Sequence, residues 1–317
     1  MSELFRGIRL NTMMANGALS NSGKSRYMFK IIAYIALVLK QKVCVLLNEM
    51  SINDMKFCLL ATVINNPEFQ ALHSYKIQKN ERDLTLGLYK NDRGEYIYRK
   101  TDNCGNYIES TDEYKERIKK ESKEYNDIHN IGLWIEKETN GLIFAKDVSD
   151  SYDDATLSYE IRKNNLLSGV KYFFYDTLKN DINSVGDWSA LKVTVTKLSQ
   201  LTNELNIFIY GSLQLTDDVN HIEPLMMSSS NIAECKAIKH VLDSLTMFKH
   251  LRKDEYFQYY YIETDVWGTS EKKELKLDRR YAIFVVDKNR TGRKTALLME
   301  IDLDKNIWLE CGEVFKK

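Results

Sequence analysis

The chain has 317 residues, 44% hydrophobic and 28% charged, with two prolines. This is a globular composition, long enough for one large domain or two small ones. Lysine plus arginine equals aspartate plus glutamate at 45 each, so there is no overall basic excess to hold nucleic acid non-specifically, and any such binding must come from local patches. Residues 1–11 hold no apolar stretch of signal-peptide type. The longest uninterrupted apolar run, residues 31–39, falls short of the about 20 residues that cross a bilayer. A soluble, cytoplasmic chain with no membrane partner is expected. The cysteines Cys44, Cys58, Cys104, Cys235 and Cys311 are scattered and lack C-x-x-C spacing, which predicts reduced thiols and no zinc site. Cys44 and Cys58 lie in apolar runs and read as small core residues. His240 and His250 read as surface residues and not as metal ligands.

In chain order, Thr12-Met13-Met14-Ala15 reads as a buried strand. It leads into Gly17-Ala18-Leu19-Ser20-Asn21-Ser22-Gly23-Lys24-Ser25, close to the phosphate-loop pattern G-x-x-x-x-G-K-[ST]. In such a loop backbone N–H groups surround phosphate oxygens. Lys24 would reach the β- and γ-phosphates, and the Ser25 hydroxyl would ligate Mg²⁺. The following helix points its positive end at the phosphates. The ligand is then a nucleoside triphosphate, held by Ser20, Asn21, Ser22, Gly23, Lys24, Ser25 and Arg26. One position departs from the pattern: its first glycine falls at Ala18, with Gly17 one residue earlier. A glycine allows a turn that a Cβ hinders. Binding therefore requires that Ala18 keep φ below zero or that the loop be one residue longer; otherwise the protein binds no nucleotide.

From 25 to 40, apolar residues recur at Met28, Ile31, Ile32, Ile35, Val38 and Leu39, the spacing of a helix face. Residues 43–47 form a continuous apolar run, as expected of a parallel strand covered on both faces. Ser51-Ile52-Asn53-Asp54 resembles a capping box with Asp in place of Glu, opening a helix that carries Met55, Leu59, Leu60 and Val63. Residues 75–140 change character and are rich in charge, asparagine and tyrosine. Here Asp92-Arg93-Gly94-Glu95 predicts a hairpin turn between tyrosine-bearing strands, and residues 112–125 predict a highly charged helix. This region reads as an insertion in one domain spanning 1–317. Alternation then resumes, with strands at 141–145, 170–175 and 207–210 and helices at 154–165 and 187–205. It implies an α/β fold with a mostly parallel sheet and helices on both faces. The C-terminal third predicts strands at 256–262, 281–286, 295–303 and around Trp308, with a hairpin turn at Asp304-Lys305-Asn306.

Ligands in α/β sheets bind beyond the carboxyl ends of strands. Lys24 and Ser25, Glu49, Asp176 and Gln214 all stand at such ends. Triphosphate hydrolysis needs these types: a lysine for phosphate charge, a hydroxyl and an aspartate for Mg²⁺, a carboxylate to activate water, and a polar sensor of the γ-phosphate. Each has a plainer reading alone, Asp176 as a turn residue and Glu49 as a complement to a helix dipole. Their order along the chain is the stronger signal.

Leu47-Asn48-Glu49-Met50-Ser51 resembles the "LEMS" segment of DnaB-family replicative helicases, in their C-terminal RecA-like ATPase domain. Tyr175-Asp176-Thr177-Leu178 resembles the family's Walker B segment. Gly211-Ser212-Leu213-Gln214-Leu215 is similar to its "SQL" segment, residues 229–243 to its "LSDLReSGaIEqDAD" segment, and Asp287-Lys288-Asn289-Arg290-Thr291-Gly292 to "aKqRNGptG". The resemblance implies a RecA-like P-loop core with C-terminal antiparallel strands, and ATP and Mg²⁺ as cofactors. It implies Glu49 as catalytic base, Asp176 as support for Mg²⁺, and Gln214 as the group coupling the γ-phosphate to its surroundings. Lys288 and Arg290 would act on the nucleotide of an adjacent subunit, as an arginine finger; a solvated basic hairpin is their other reading. Residues 179–187 and 216–230 correspond to loops lining the family's ring channel. They hold few cations, Lys179 in the first and none in the second, although phosphate tracking uses lysine or arginine. Residues 249–253 and 272–280 read as solvated basic surface. The arginine that follows Gln-Leu in the family is replaced by Thr216-Asp217, and the family's N-terminal domain has no counterpart in these residues.

Two functions follow. One is a hexameric ATP-driven translocase on single-stranded DNA, of replicative type, with replication proteins as further partners. The other is a RecA-like ATPase whose nucleotide state switches a protein–protein interaction without unwinding. A third reading, which follows from Ala18, is a structural homologue that binds no nucleotide.

Overall fold

The structure, a computed structural model, describes residues 7–150, 153–179, 181, 190–233, 236–265 and 267–317. The chain opens with β1 (Thr12–Ala18) and α1 (Lys24–Ala33), which continues as a π-helical turn at Tyr34–Val38. Next come β2 (Val43–Leu47) and α2 (Ile52–Asn65). Ser51 caps α2 by accepting from the Asp54 N–H at 3.1 Å. The box is incomplete: the shorter Asp54 carboxylate takes the Ser51 hydroxyl (2.7 Å) instead of a backbone N–H. Then come α3 (Pro67–His73) and, within residues 75–140, α4 (Glu81–Thr85), the small hairpin β3 (Tyr89–Lys90) and β4 (Tyr96–Ile97), α5 (Thr111–Glu121) and α6 (Lys123–Glu138). The charged helix expected over 112–125 is two helices broken at Ser122. That residue ends α5 and caps α6, accepting from the Tyr125 N–H at 3.0 Å.

The core resumes with β5 (Ile143–Asp147), α7 (Asp154–Ser168), β6 (Tyr172–Asp176), α8 (Ala190–Leu205) and β7 (Phe208–Gln214). The expected start of the last helix, at 187, lies outside the described residues. Short 3₁₀ turns lead to β8 (Ser244–His250), and the chain ends with β9 (Tyr259–Thr264), β10 (Ser270–Glu274), β11 (Tyr281–Asn289), β12 (Ala296–Asp302) and β13 (Ile307–Lys316).

One eleven-stranded sheet has the order β10-β9-β13-β12-β11-β8-β1-β7-β6-β2-β5. From β8 to β5 every pairing is parallel. From β11 outward every pairing is antiparallel. Alternate side chains feed two cores, as strands covered on both faces require. Val45, Leu47, Phe174 and Tyr210 pack with Met28, Phe29 and Ile32 of α1. Leu46, Phe173 and Tyr175 pack with Leu191, Val195 and Leu198 of α8 on the other face. Cys44 and Cys58 are buried small core residues. Helices α3, α4 and α6 share a third cluster with α2, in which Leu59 and Ile64 meet Phe69, Leu84, Ile128 and Ile131.

Two strands went unforeseen, and one of them is central. β8 lies directly beside β1. Its Lys249, expected on solvated surface, is buried and donates to the carbonyls of Asn220 (3.0 Å) and Ile222 (2.8 Å). The other is β10, at the sheet edge. The turn expected at 304–306 joins β12 to β13 and reaches back to the helices. Asn306 donates to the Arg26 carbonyl (3.1 Å) and accepts from Trp308 Nε1 (2.8 Å), while Asn66 donates to the Asn306 carbonyl (2.9 Å). Trp308 and Phe284 pack on Tyr27 of α1, with ring centroids 5.3 and 4.9 Å away. The antiparallel wing thus braces the helix that follows the phosphate loop.

Candidate active site

β1 continues as a strand through Ala18, three residues beyond the expected end, and Ala18 pairs in register with Gln214 of β7. Ala18 is not among the residues with positive φ, so its Cβ costs nothing and the turn begins at Leu19. The loop's left-handed residues are Asn21 (φ 57°) and Gly23 (φ 94°). Gly23 is required twice: by that φ, and because a Cβ there would come within 2.8 Å of Leu303 and 3.0 Å of Trp308. Gly17 has a packing role, since a Cβ would stand 2.8 Å from Leu215. Ser22 closes the turn by donating its N–H (3.4 Å) and hydroxyl (2.5 Å) to the Leu19 carbonyl. Ser20 and Asn21 are exposed.

Lys24, at the start of α1, is buried. Its ammonium donates to Gln214 Oε1 (2.7 Å) and to the carbonyls of Leu19 (3.3 Å) and Ala18 (3.5 Å). These acceptors are neutral, so among the described residues this buried cation has no directly bonded countercharge. Burial lowers its pKa, Glu49 and Asp176 pull it back up, and Lys179 pushes it down. An anion seated in the loop would supply the missing charge.

Ser25 Oγ donates to Asp176 Oδ2 at 2.5 Å, and Ser212 donates to Asp176 Oδ1. Asp176 is almost fully buried at the end of β6. A hydroxyl and a carboxylate facing one another are hard oxygen donors of the kind Mg²⁺ takes beside phosphate and water. This donor set fits the ion that the loop implies.

Registers along β1, β7, β6 and β2 bring Ala18, Gln214, Asp176 and Leu47 to one edge of the sheet. Asn48 then locks two neighbouring strand ends together. Its side chain donates to Tyr175 Oη (2.8 Å) and the Thr177 carbonyl (2.9 Å) and accepts from the Thr177 N–H (2.7 Å). Glu49 follows, exposed, with Oε1 2.8 Å from Lys179 Nζ. Lys179, expected to line a channel loop, is ion-paired at the mouth of this site. The rest of that expected loop lies outside the described residues, apart from position 181.

Three expected site residues lie elsewhere. The Arg26 guanidinium turns to the insertion and binds Glu81 at 3.0 Å through both Nε and Nη2. Lys288 lies near the end of β11 in register with Leu245, and Arg290 follows Asn289, which pairs with Ser244; both β8 partners lie beside the opening half of β1. That is the opposite end of the sheet from the chain's own phosphate loop. Lys288 donates to the carbonyls of Lys239 (2.6 Å) and His240 (3.2 Å), and Arg290 pairs with Asp243 at 2.7 Å. In residues 229–243, Glu234 and Cys235 lie outside the described residues. Ala233 donates to the Gln214 carbonyl (3.0 Å), so this segment returns to the end of β7.

Two supporting residues escaped the sequence reading. His250, expected at the surface, is part-buried and donates Nε2–H to the Ser22 carbonyl (2.9 Å). Burial pushes its pKa below the usual value, which favours the neutral ring. Nothing local in the sequence marks it. Ser212 could have been found, because it lies two residues before Gln214 on a strand and shares its face.

No family model matches the sequence, and neither does any curated protein. Among solved structures, an ATPase domain superposes with a TM-score of 0.65 at 12% identity, covering 97% of this chain and 87% of that one. A DnaB-like replicative helicase, described with its interactions with primase, gives 0.64 at 13% identity, covering 97% of this chain and 61% of that one. This chain therefore spans less than two thirds of that helicase chain. Among the described residues no helix is long and apolar enough to cross a membrane. At these identities the likeness is one of architecture, and the chain has the RecA-like α/β fold of DnaB-like helicase ATPase domains.

Proposed function

We propose that the protein is an ATP-dependent DNA helicase motor of DnaB-like type. The observation that carries this reading is the meeting of Lys24 with Gln214, and of Ser25 with Asp176, at the carboxyl edge of four adjacent parallel strands. Backbone N–H groups of residues 20–24 and the Lys24 ammonium bind the triphosphate. Ser25 and Asp176 hold Mg²⁺, which neutralises phosphate charge when bound. Glu49 takes a proton from a water whose oxygen attacks the γ-phosphorus, and the bond from that phosphorus to the β–γ bridging oxygen breaks. Gln214 leaves Lys24 for the γ-phosphate and carries the change into β7. Lys288 and Arg290, far from their own loop, serve the nucleotide of an adjacent copy in a hexameric ring. Single-stranded DNA is the track, and replication proteins are partners.

One observation favours a second reading, the nucleotide-dependent interaction switch. Arg26 adjoins Ser25 and binds Glu81, linking the loop's helix directly to the charged region 75–140. ATPase activity with and without single-stranded DNA, beside a mass measurement in ATP and Mg²⁺, separates the two. Stimulation by DNA and a ring-sized mass support the motor; turnover indifferent to DNA supports the switch.

A further inference from the structure

Glu49 and Lys179 leave the sheet from the neighbouring strands β2 and β6, and their side chains meet at 2.8 Å, being 46% and 34% exposed. The meeting is built into the backbone. Asn48 precedes Glu49 and holds Thr177 by both its N–H and its carbonyl, while its own N–H donates to the Asp176 carbonyl at 2.9 Å. Both groups are near enough to act on the charge of Lys24, Glu49 favouring it and Lys179 opposing it. A carboxylate oxygen engaged by an ammonium has a lone pair occupied and is poorly placed to take a proton from water. A half-exposed pair is also weakly held, so another anion can displace it.

We infer that Lys179 is a positioning residue that restrains Glu49 in this ion pair and surrenders it when Lys179 binds the phosphodiester backbone of a single strand, so that strand occupancy sets the hydrolysis rate. The inference rests on the reading of Glu49 as catalytic base. The strand is the anion favoured here because the loop's own phosphates already have the buried Lys24. Lys179 stands outside that loop, on a half-exposed side chain. It is also the one cation of residues 179–187 and 216–230 together.

The test compares the full chain with Lys179→Gln and Lys179→Arg. Steady-state ATP turnover is measured with and without an oligothymidine strand, and strand affinity is measured by fluorescence anisotropy across a salt series. In Lys179→Gln, turnover without the strand should rise about three- to tenfold, with KM for ATP within about twofold of wild type, and the strand should add little. Strand affinity should fall, with the salt slope reduced by about one. Lys179→Arg should keep wild-type behaviour in both assays. Unchanged basal turnover, or an unchanged salt slope, in Lys179→Gln overturns the inference while leaving the motor reading intact. A raised KM with the same kcat makes Lys179 a nucleotide contact and overturns it too. A wild-type chain that neither binds nor hydrolyses ATP overturns both.

Discussion

Ser25 and Asp176 are separated by 151 positions along the chain, yet the hydroxyl of one donates to the carboxylate of the other at 2.5 Å. The contact exists because β1 and β6 flank β7, whose Ser212 holds the second oxygen of the same carboxylate. If this pair carries Mg²⁺, Asp176→Asn keeps the shape and removes the charge. The Mg²⁺ concentration for half-maximal ATP turnover should then rise about 10–100-fold. A magnesium titration in which the variant overlays wild type would remove Asp176 from the site.

Lys24 and Glu49 are expected to fail differently. Lys24→Ala removes the buried cation of the loop and, if the loop holds a triphosphate, should abolish both nucleotide binding and turnover. Glu49→Gln should bind nucleotide normally and lose about 10²–10⁴ in kcat, the range of a general base. Fluorescent-nucleotide binding and single-turnover hydrolysis separate the two, and normal hydrolysis by Glu49→Gln would place the base elsewhere.

The loop makes opposite demands at two positions. Ala18 is an ordinary strand residue, so Ala18→Gly should leave nucleotide affinity unchanged and cost about 0.5–1 kcal/mol of stability through chain entropy. Gly23→Ala should cost more, about 1–3 kcal/mol for the left-handed residue alone, and should lose nucleotide binding. Thermal melts beside nucleotide titrations check both; a gain in affinity for Ala18→Gly would show that the strand reading of position 18 is mistaken.

Acid should loosen the structure through His250. Burial holds its folded pKa below the usual 6.5, so as pH falls the unfolded chain takes up the proton first. Stability is then full above about pH 6.5 and declines below it, until pH drops under the folded pKa. His73, lowered by burial as well, adds in the same direction. Melting temperatures from about pH 7 to 5 should fall less steeply for His250→Gln than for wild type. Equal slopes would assign the acid sensitivity to other groups.

Arg26 is spent on Glu81, with the two side chains 33% and 18% exposed. Arg26→Ala should therefore leave nucleotide affinity within about threefold and destabilise the fold by about 0.5–1 kcal/mol, as partly exposed pairs do. A large rise in the nucleotide dissociation constant would instead return Arg26 to the binding loop.

The parallel half of the sheet was legible because β2, β6 and β7 are apolar on both faces, and the polar groups that matter sit where those runs stop. β8 was not, although it is just as central. Thr246, Lys249 and His250 break its apolar run, and each is satisfied by a tertiary partner that local pattern cannot reveal: the carbonyls of Ala15, of Asn220 and Ile222, and of Ser22. That Lys24, Ser25, Asp176 and Gln214 meet at one edge of the sheet was foreseeable from their places at strand ends. The direction of side chains leaving the strands was not. Lys179, just past β6, meets Glu49, and Arg26, on α1, meets Glu81 of α4, because elements distant in sequence, and not local periodicity, decide where such groups find a partner.

The edge strand β10 reads Ser-Glu-Lys-Lys-Glu, and Lys273 pairs with both Glu263 and Glu271. A rim carrying charges of both signs offers its open amides to water but disfavours pairing with a further β-ribbon. That flank therefore resists growth of the sheet by edge pairing with a strand of another chain.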